Sequence, residues 1–100
     1  MRKIIKIDVK SNFIINCTFD NSEDRIIDLE KILDKNDKYA SKVFDDKIFR
    51  KVKIGSQGEL FWEGIAEMKN LNNENIPCEY DICPDFVYQN SESFSTAQIP

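Results

Sequence analysis

Three cysteines, Cys17, Cys78 and Cys83, are the side chains of this sequence best suited to metal or redox chemistry. Cys78 and Cys83 have four residues between them, wider than the two-residue spacing of most zinc knuckles and thioredoxin-type motifs. The chain contains no histidine to complete a tetrahedral zinc site. We therefore interpret the cysteines as reduced, small apolar side chains and expect no metal and no cofactor. A metal or small-molecule site at residues 78–83 is the alternative hypothesis.

Carboxylates at close spacing could divide the roles of general acid and general base. Three such pairs occur: Glu59 with Glu63, Glu63 with Glu67, and Glu79 with Asp81. The same spacing is typical of the solvated face of a strand, because residues i and i+2 share a side. Without histidine, a phosphate-binding glycine loop or a metal cluster beside these pairs, we expect that the protein is not an enzyme and has no catalytic residues.

Phe61 is the aromatic residue that a purely structural interpretation explains least well. If Leu60 and Trp62 face the core of a strand, Phe61 faces outward between Glu59 and Glu63. Either another element covers Phe61, or it is an apolar anchor ringed by acids on which a partner docks. Glu59, Phe61 and Glu63 are therefore the predicted partner-binding residues.

Charge is unevenly distributed along a chain of 100 residues with a net charge of −4. Residues 34–53 carry +3, whereas residues 54–100 carry −7. The basic side chains of the central segment are interspersed with acids, and no recognition helix or stacking aromatic accompanies them, so we expect no nucleic-acid partner. The acidic half predicts a basic protein as the electrostatic match.

Apolar runs reach only three residues, as in residues 60–62, which predicts no membrane partner. Lys6 and Asp8 interrupt the N-terminal region where a signal peptide has a continuous apolar stretch. We therefore expect a cytoplasmic protein.

Alternation of apolar and polar residues with period two predicts the first strands. It places Ile5, Ile7 and Val9 on one face of the first strand, and it continues through residues 13–19 and 25–29. This pattern predicts an antiparallel meander with one apolar face.

Short helical segments are predicted between and after the strands. Residues 30–33, 39–49 and 85–88 show the apolar spacing or the initiating proline of helical turns. Residues 51–54 and 59–63 alternate again, on either side of a glycine-containing turn.

The resulting fold class is α+β, with a small antiparallel β-meander sheet and short inserted helices. We predict a single domain over residues 1–88, a polar turn at residues 71–76 and a mobile C-terminal tail over residues 89–100. A small sheet cannot hide its apolar face alone, so the helices or a second copy must cover it, and a homodimer is expected.

Four segments of the chain are similar to a known family. The first two are residues 19–29, with Phe19-Asp20-Asn21 and Arg25-Ile26-Ile27-Asp28-Leu29, and residues 43–52. The other two are residues 60–62, with Leu60-Phe61-Trp62, and residues 79–88, with Pro84, Asp85 and Tyr88. The chain resembles the bacterial domain-of-unknown-function 2442 family over roughly residues 3–88. It departs from the family where Cys83 replaces the usual Asp or Ser, which predicts a closing helix without a side-chain N-cap.

The resemblance implies a small α+β domain without an established activity, often encoded beside another small protein. It thereby suggests an antitoxin-like pairing. Together with the charge distribution, this predicts a non-enzymatic protein–protein interaction or regulatory module whose partner is another small, basic protein.

Overall fold

The computed structural model describes residues 1–93, which form two antiparallel sheets and four short helices around one core. This arrangement confirms the predicted α+β class. It also corrects the single predicted meander, because the strands divide into a four-stranded and a three-stranded sheet.

The four-stranded sheet has the order β1-β2-β3-β7. Its strands are β1 (Ile4–Val9), β2 (Ile14–Phe19), β3 (Asp24–Asp28) and β7 (Glu92–Ser93). The first three form the meander that the alternation predicts, and all three pairings are antiparallel.

A β-bulge near the start of β1 changes which side chains reach the core. Ile4 pairs with Phe19 and Lys6 with Thr18, so Ile5 is the extra residue. Ile4 is buried, whereas Ile5 is 59% exposed. The prediction that Ile5 shares the inward face with Ile7 and Val9 was therefore wrong. An inserted residue shifts the alternation, so the residues before it face the opposite way from the one that the pattern predicts.

The three-stranded sheet has the order β4-β5-β6 and is dominated by one long hairpin. Its strands are β4 (Lys53–Ile54), β5 (Leu60–Lys69) and β6 (Asn75–Ile82). The predicted strand at residues 59–63 is thus only the first half of β5. The predicted turn at residues 71–76 is the tip of the hairpin, although residues 75 and 76 already belong to β6.

The helices are all short: α1 (Leu29–Ile32), α2 (Ala40–Val43), α3 (Asp46–Phe49) and α4 (Pro84–Gln89). Asp28 and Asp45 cap α1 and α3 by accepting backbone N–H bonds, which satisfies donors that a helix leaves free at its start. Cys83 precedes α4 without a side-chain cap, as predicted.

The two sheets share a single core in which Trp62 is the largest buried side chain. The Trp62 indole Nε1 donates a buried hydrogen bond of 3.1 Å to the carbonyl of Phe49, which joins β5 to the end of α3. At the junction of the sheets, Ile4 N–H donates to the carbonyl of Gly58 at 3.0 Å.

The C-terminal part of the described chain closes the core. Val87 of α4 is fully buried, Ser91 is nearly so, and β7 pairs with β3. The predicted domain boundary at residue 88 falls inside α4, so the fold extends at least to Ser93. Residues 94–100 of the predicted mobile tail lie outside the described residues.

Candidate docking surface

The predicted docking residues Phe61 and Glu63 lie on β5 within a ladder of polar neighbours. Phe61 is half-buried and stands opposite Lys53 on one side and Asp81 on the other. Glu63 is exposed, and one of its carboxylate oxygens lies 3.0 Å from the Lys53 ammonium. The acid beside Phe61 is therefore already paired within the chain.

Glu59 has a local structural role. Its Oε1 accepts a hydrogen bond of 3.0 Å from the backbone N–H of Gln57, in the turn that joins β4 to β5. It is half-buried and folded back over Gly55. The predicted trio does not form an open apolar anchor ringed by free acids.

An uncovered apolar surface lies farther along the same hairpin, on the arm, which we define as residues 66–78. Ala66 pairs with Cys78 and Met68 with Ile76, so these four side chains share one face. On β6 this face continues to Tyr80, which pairs with the buried Trp62. The arm thus extends the core-facing stripe of the sheet into solvent.

Exposure increases steadily along this stripe. Ala66 is 7% exposed and Cys78 is half-buried, but Met68 is 54% exposed and Ile76 is 37% exposed. At the tip Leu71 is completely exposed. Contiguous apolar surface that no element of the described chain covers is typical of an interaction site.

The tip that presents Leu71 is a tightly bonded turn. Asn70 Oδ1 accepts backbone N–H bonds from Asn72 at 3.0 Å and from Glu74 at 2.9 Å. Asn73 adopts φ = 62°, a conformation that asparagine tolerates better than most residues. The chain therefore holds Leu71 outward on a defined turn.

The other face of the hairpin is polar, with Glu67 and Lys69 on the arm and Glu79 directly after it. The free edge of β6 carries Pro77. Along an antiparallel ladder, hydrogen-bonded residue pairs alternate with pairs that are not hydrogen-bonded. Asn70 and Glu74 are a hydrogen-bonded pair, because the Asn70 N–H donates to the Glu74 carbonyl. Counted along the ladder from there, the pair that contains Pro77 is not hydrogen-bonded. The Pro77 nitrogen, which has no hydrogen to donate, therefore points to the free edge. This blocks continuous strand addition there and leaves the apolar face as the accessible surface.

A cleft of about 530 Å³ lies at the base of the arm, between residues 48–53 and the middle of β5. Ile48, Val52, Trp62 and Ile65 supply its apolar lining, and Arg50, Lys51, Lys53 and Glu63 its charged lining. Beside it, Lys42 Nζ donates to the carbonyl of Ile65 at 3.1 Å, which caps part of the free edge of β5.

The three cysteines do not converge. Cys17 is buried, Cys78 is half-buried on the arm and Cys83 is exposed before α4. Burial raises the pKa of the Cys17 thiol to about 12. Within residues 1–93 no group of three or more acidic or cysteine side chains is arranged to hold a metal ion. A metal site at residues 78–83 thus has no geometric support in this part of the chain, and a small-molecule site there stays a prediction.

Met68, Leu71 and Ile76 were not identified from the sequence as candidate residues. The available signal was the placement of an apolar residue on each side of the asparagine-rich turn, at Met68 and Ile76. Recognising it requires extending β5 beyond Gly64, where φ is 73° and the register shifts. That irregularity obscures the alternation.

Comparison with protein-family models, with curated proteins and with solved structures finds no match to this chain. The resemblance to the domain-of-unknown-function 2442 family therefore stays a prediction. No helix in residues 1–93 is long and apolar enough to cross a bilayer.

Proposed function

We propose that this protein is a non-enzymatic protein–protein interaction module of the cytoplasm, and that its arm is the binding element. One observation carries the proposal: the core-facing stripe continues onto the arm, where Met68, Leu71 and Ile76 are exposed. Burying such side chains releases about 25 cal/mol per Å² of apolar surface, which supplies affinity without any catalytic group.

The arm is suited to binding because its exposed residues contribute little to its own fold. Residues 67–77 are exposed except for Asn70, while the ladder and the Asn70 turn fix their backbone. A preorganised backbone loses little conformational entropy on association.

Glu67 on the arm and Glu79 directly after it favour a basic neighbour in the complex. Glu67 and Glu79 have no cationic partner among the described residues, and complementary charge increases the association rate. Another small, basic protein, paired in the antitoxin-like manner that the family resemblance implies, would match these acids.

Affinity capture from the native cell lysate tests the proposal. The tagged chain should retain a stoichiometric protein, whether a different protein or an untagged copy of itself, at moderate salt after nuclease treatment. The double variant Met68→Ser, Leu71→Ser should lose it. Ile5→Ser is the matched control, because Ile5 is about as exposed as Met68 but lies on β1. Capture that is absent, or that survives the double substitution, would overturn the proposal.

A further inference from the structure

The cleft at the base of the arm exists because β4 is much shorter than β5. β4 contains two residues and pairs only with Leu60 and Phe61. Beyond them, β5 has no strand partner on that side within residues 1–93. The register shift between Trp62 and Ala66 makes the adjoining part of β5 irregular. A cleft of about 530 Å³ remains beside it, within the range of about 300–1,000 Å³ that is typical of small-molecule sites.

Part of the cleft lining is apolar and comes from Ile48, Val52, Trp62 and Ile65. Val52 and Trp62 are buried, whereas Ile48 and Ile65 are half-buried. The indole Nε1 already donates to the Phe49 carbonyl, so the rest of the Trp62 ring offers apolar contact. A ligand in the cleft would remove the exposed part of this lining from water, which favours a ligand with an apolar body.

The charged part of the lining contains three cations, two of which are already paired with acids. Arg50 Nε lies 2.9 Å from a carboxylate oxygen of Asp46, and Lys53 Nζ lies 3.0 Å from one of Glu63. Lys51 is exposed and has no acidic partner in the described part of the chain. A single ammonium that is free to bind favours a ligand with one negative charge.

The backbone of this segment supplies no competing anion site. The N–H groups of residues 50–52 all donate to carbonyls of residues 46–49, at 3.0–3.2 Å. Binding of an anion would therefore depend on the Lys51 side chain. The surrounding charge is favourable, because residues 34–53 carry +3 in a chain of net charge −4.

We propose that this cleft binds a small organic monoanion, with the apolar body of the ligand against Trp62 and Ile65 and its anionic group at the Lys51 ammonium. The contributing residues are distinct from Met68, Leu71 and Ile76, which the proposed function assigns to protein binding. The cleft therefore adds a ligand site to the interaction module.

Four probes that differ in charge or in chain length test the site: octanoate, octylammonium, 1-octanol and acetate. Trp62 is the single tryptophan of the chain and lines the cleft, so its fluorescence reports binding directly. Octanoate should bind about tenfold more tightly than octanol, which lacks the charge, and more tightly than acetate, which lacks the apolar chain. It should also raise the melting temperature, because a ligand of the folded state stabilises that state.

Lys51→Glu should weaken octanoate binding about tenfold and make octylammonium the preferred probe. Lys47→Glu is the matched control, because Lys47 is an exposed cation of the same segment outside the cleft, and its substitution changes the net charge equally. The double variant Met68→Ser, Leu71→Ser should bind octanoate as the unmodified chain does.

Three results would overturn the inference: no saturable response to millimolar octanoate, octanoate binding no tighter than octanol, or equal losses for Lys51→Glu and Lys47→Glu. Loss of octanoate binding in the arm variant would also overturn it, because the ligand would then lie on the arm. The proposed function is tested separately, since affinity capture through the arm requires no ligand in the cleft.

Discussion

The hydroxyl of Tyr88 donates a hydrogen bond of 2.5 Å to Oε2 of Glu23, across 65 residues of sequence. Glu23 also pairs with Arg25 at 2.6 Å, and the Arg25 guanidinium lies 4.5 Å from the centre of the Tyr88 ring. Arg25 Nε in turn donates to Ser91 Oγ at 2.7 Å. This network fixes α4 and the following residues to the edge of the four-stranded sheet.

Tyr88→Phe should lower stability in a pH-dependent manner. The Tyr88 hydrogen bond, followed by that of Arg25, lowers the pKa of Glu23. A depressed carboxyl pKa stabilises the fold above the unfolded value of about 4.3, and this contribution is lost as pH falls through the folded value. Thermal melts should therefore show a gap between wild type and Tyr88→Phe at neutral pH that narrows at acidic pH. Tyr39→Phe should show no such narrowing. An equal gap at both pH values would contradict the role of Glu23.

Gly58→Ala should destabilise the protein by about 2 kcal/mol or more. Gly58 adopts φ = 76°, and a Cβ there would lie 2.5 Å from Cβ of Lys3 at the junction of the sheets. Gly64→Ala is a matched control, because Gly64 has φ = 73° but no atom within 4 Å of an added Cβ. Urea unfolding should show the larger loss for Gly58→Ala. Equal losses would mean that the close approach of the sheets contributes nothing beyond backbone strain.

Thiol labelling should follow the burial of the three cysteines. Cys83 should react first and Cys78 more slowly, whereas Cys17 should react only on unfolding, because burial raises its pKa to about 12 and excludes the reagent. Mass spectrometry after alkylation near neutral pH measures the order. Labelling of Cys17 as fast as Cys83 would contradict its position in the core.

Trp62→Phe should cost about 1–3 kcal/mol, because it removes the indole hydrogen bond to the Phe49 carbonyl and leaves part of the buried indole volume unfilled. Equilibrium denaturation measures the change in the free energy of unfolding. Phe61→Leu, at the neighbouring half-buried position, should cost less. The reverse order would show that Phe61, and not Trp62, anchors β5.

Local patterns in the sequence predict much of the fold. The meander of β1 to β3, the inward orientation of Leu60 and Trp62, and the helix begun by Pro84 all follow from alternation and turn chemistry. These features depend on neighbouring residues, which is why the sequence alone is sufficient to predict them.

The division into two sheets and the position of the exposed stripe could not be predicted in the same way. The junction depends on Gly58 meeting Lys3 and Ile4, a contact between residues distant in sequence. The bulges at Ile5 and Gly64 shift the alternation by an amount that the pattern does not encode. The sequence does not show that the acids around Phe61 are paired, because Lys53 and the Gln57 amide come within bonding distance of them only in the folded chain.

Amide hydrogen exchange of the associated and dissociated protein tests the role of the arm most directly. Residues 66–78 should gain protection when the captured partner binds. The edge of β1 around Ile5 should exchange at an unchanged rate. Protection confined to the four-stranded sheet, with the arm exchanging as in the free chain, would contradict the assignment of the arm as the binding element.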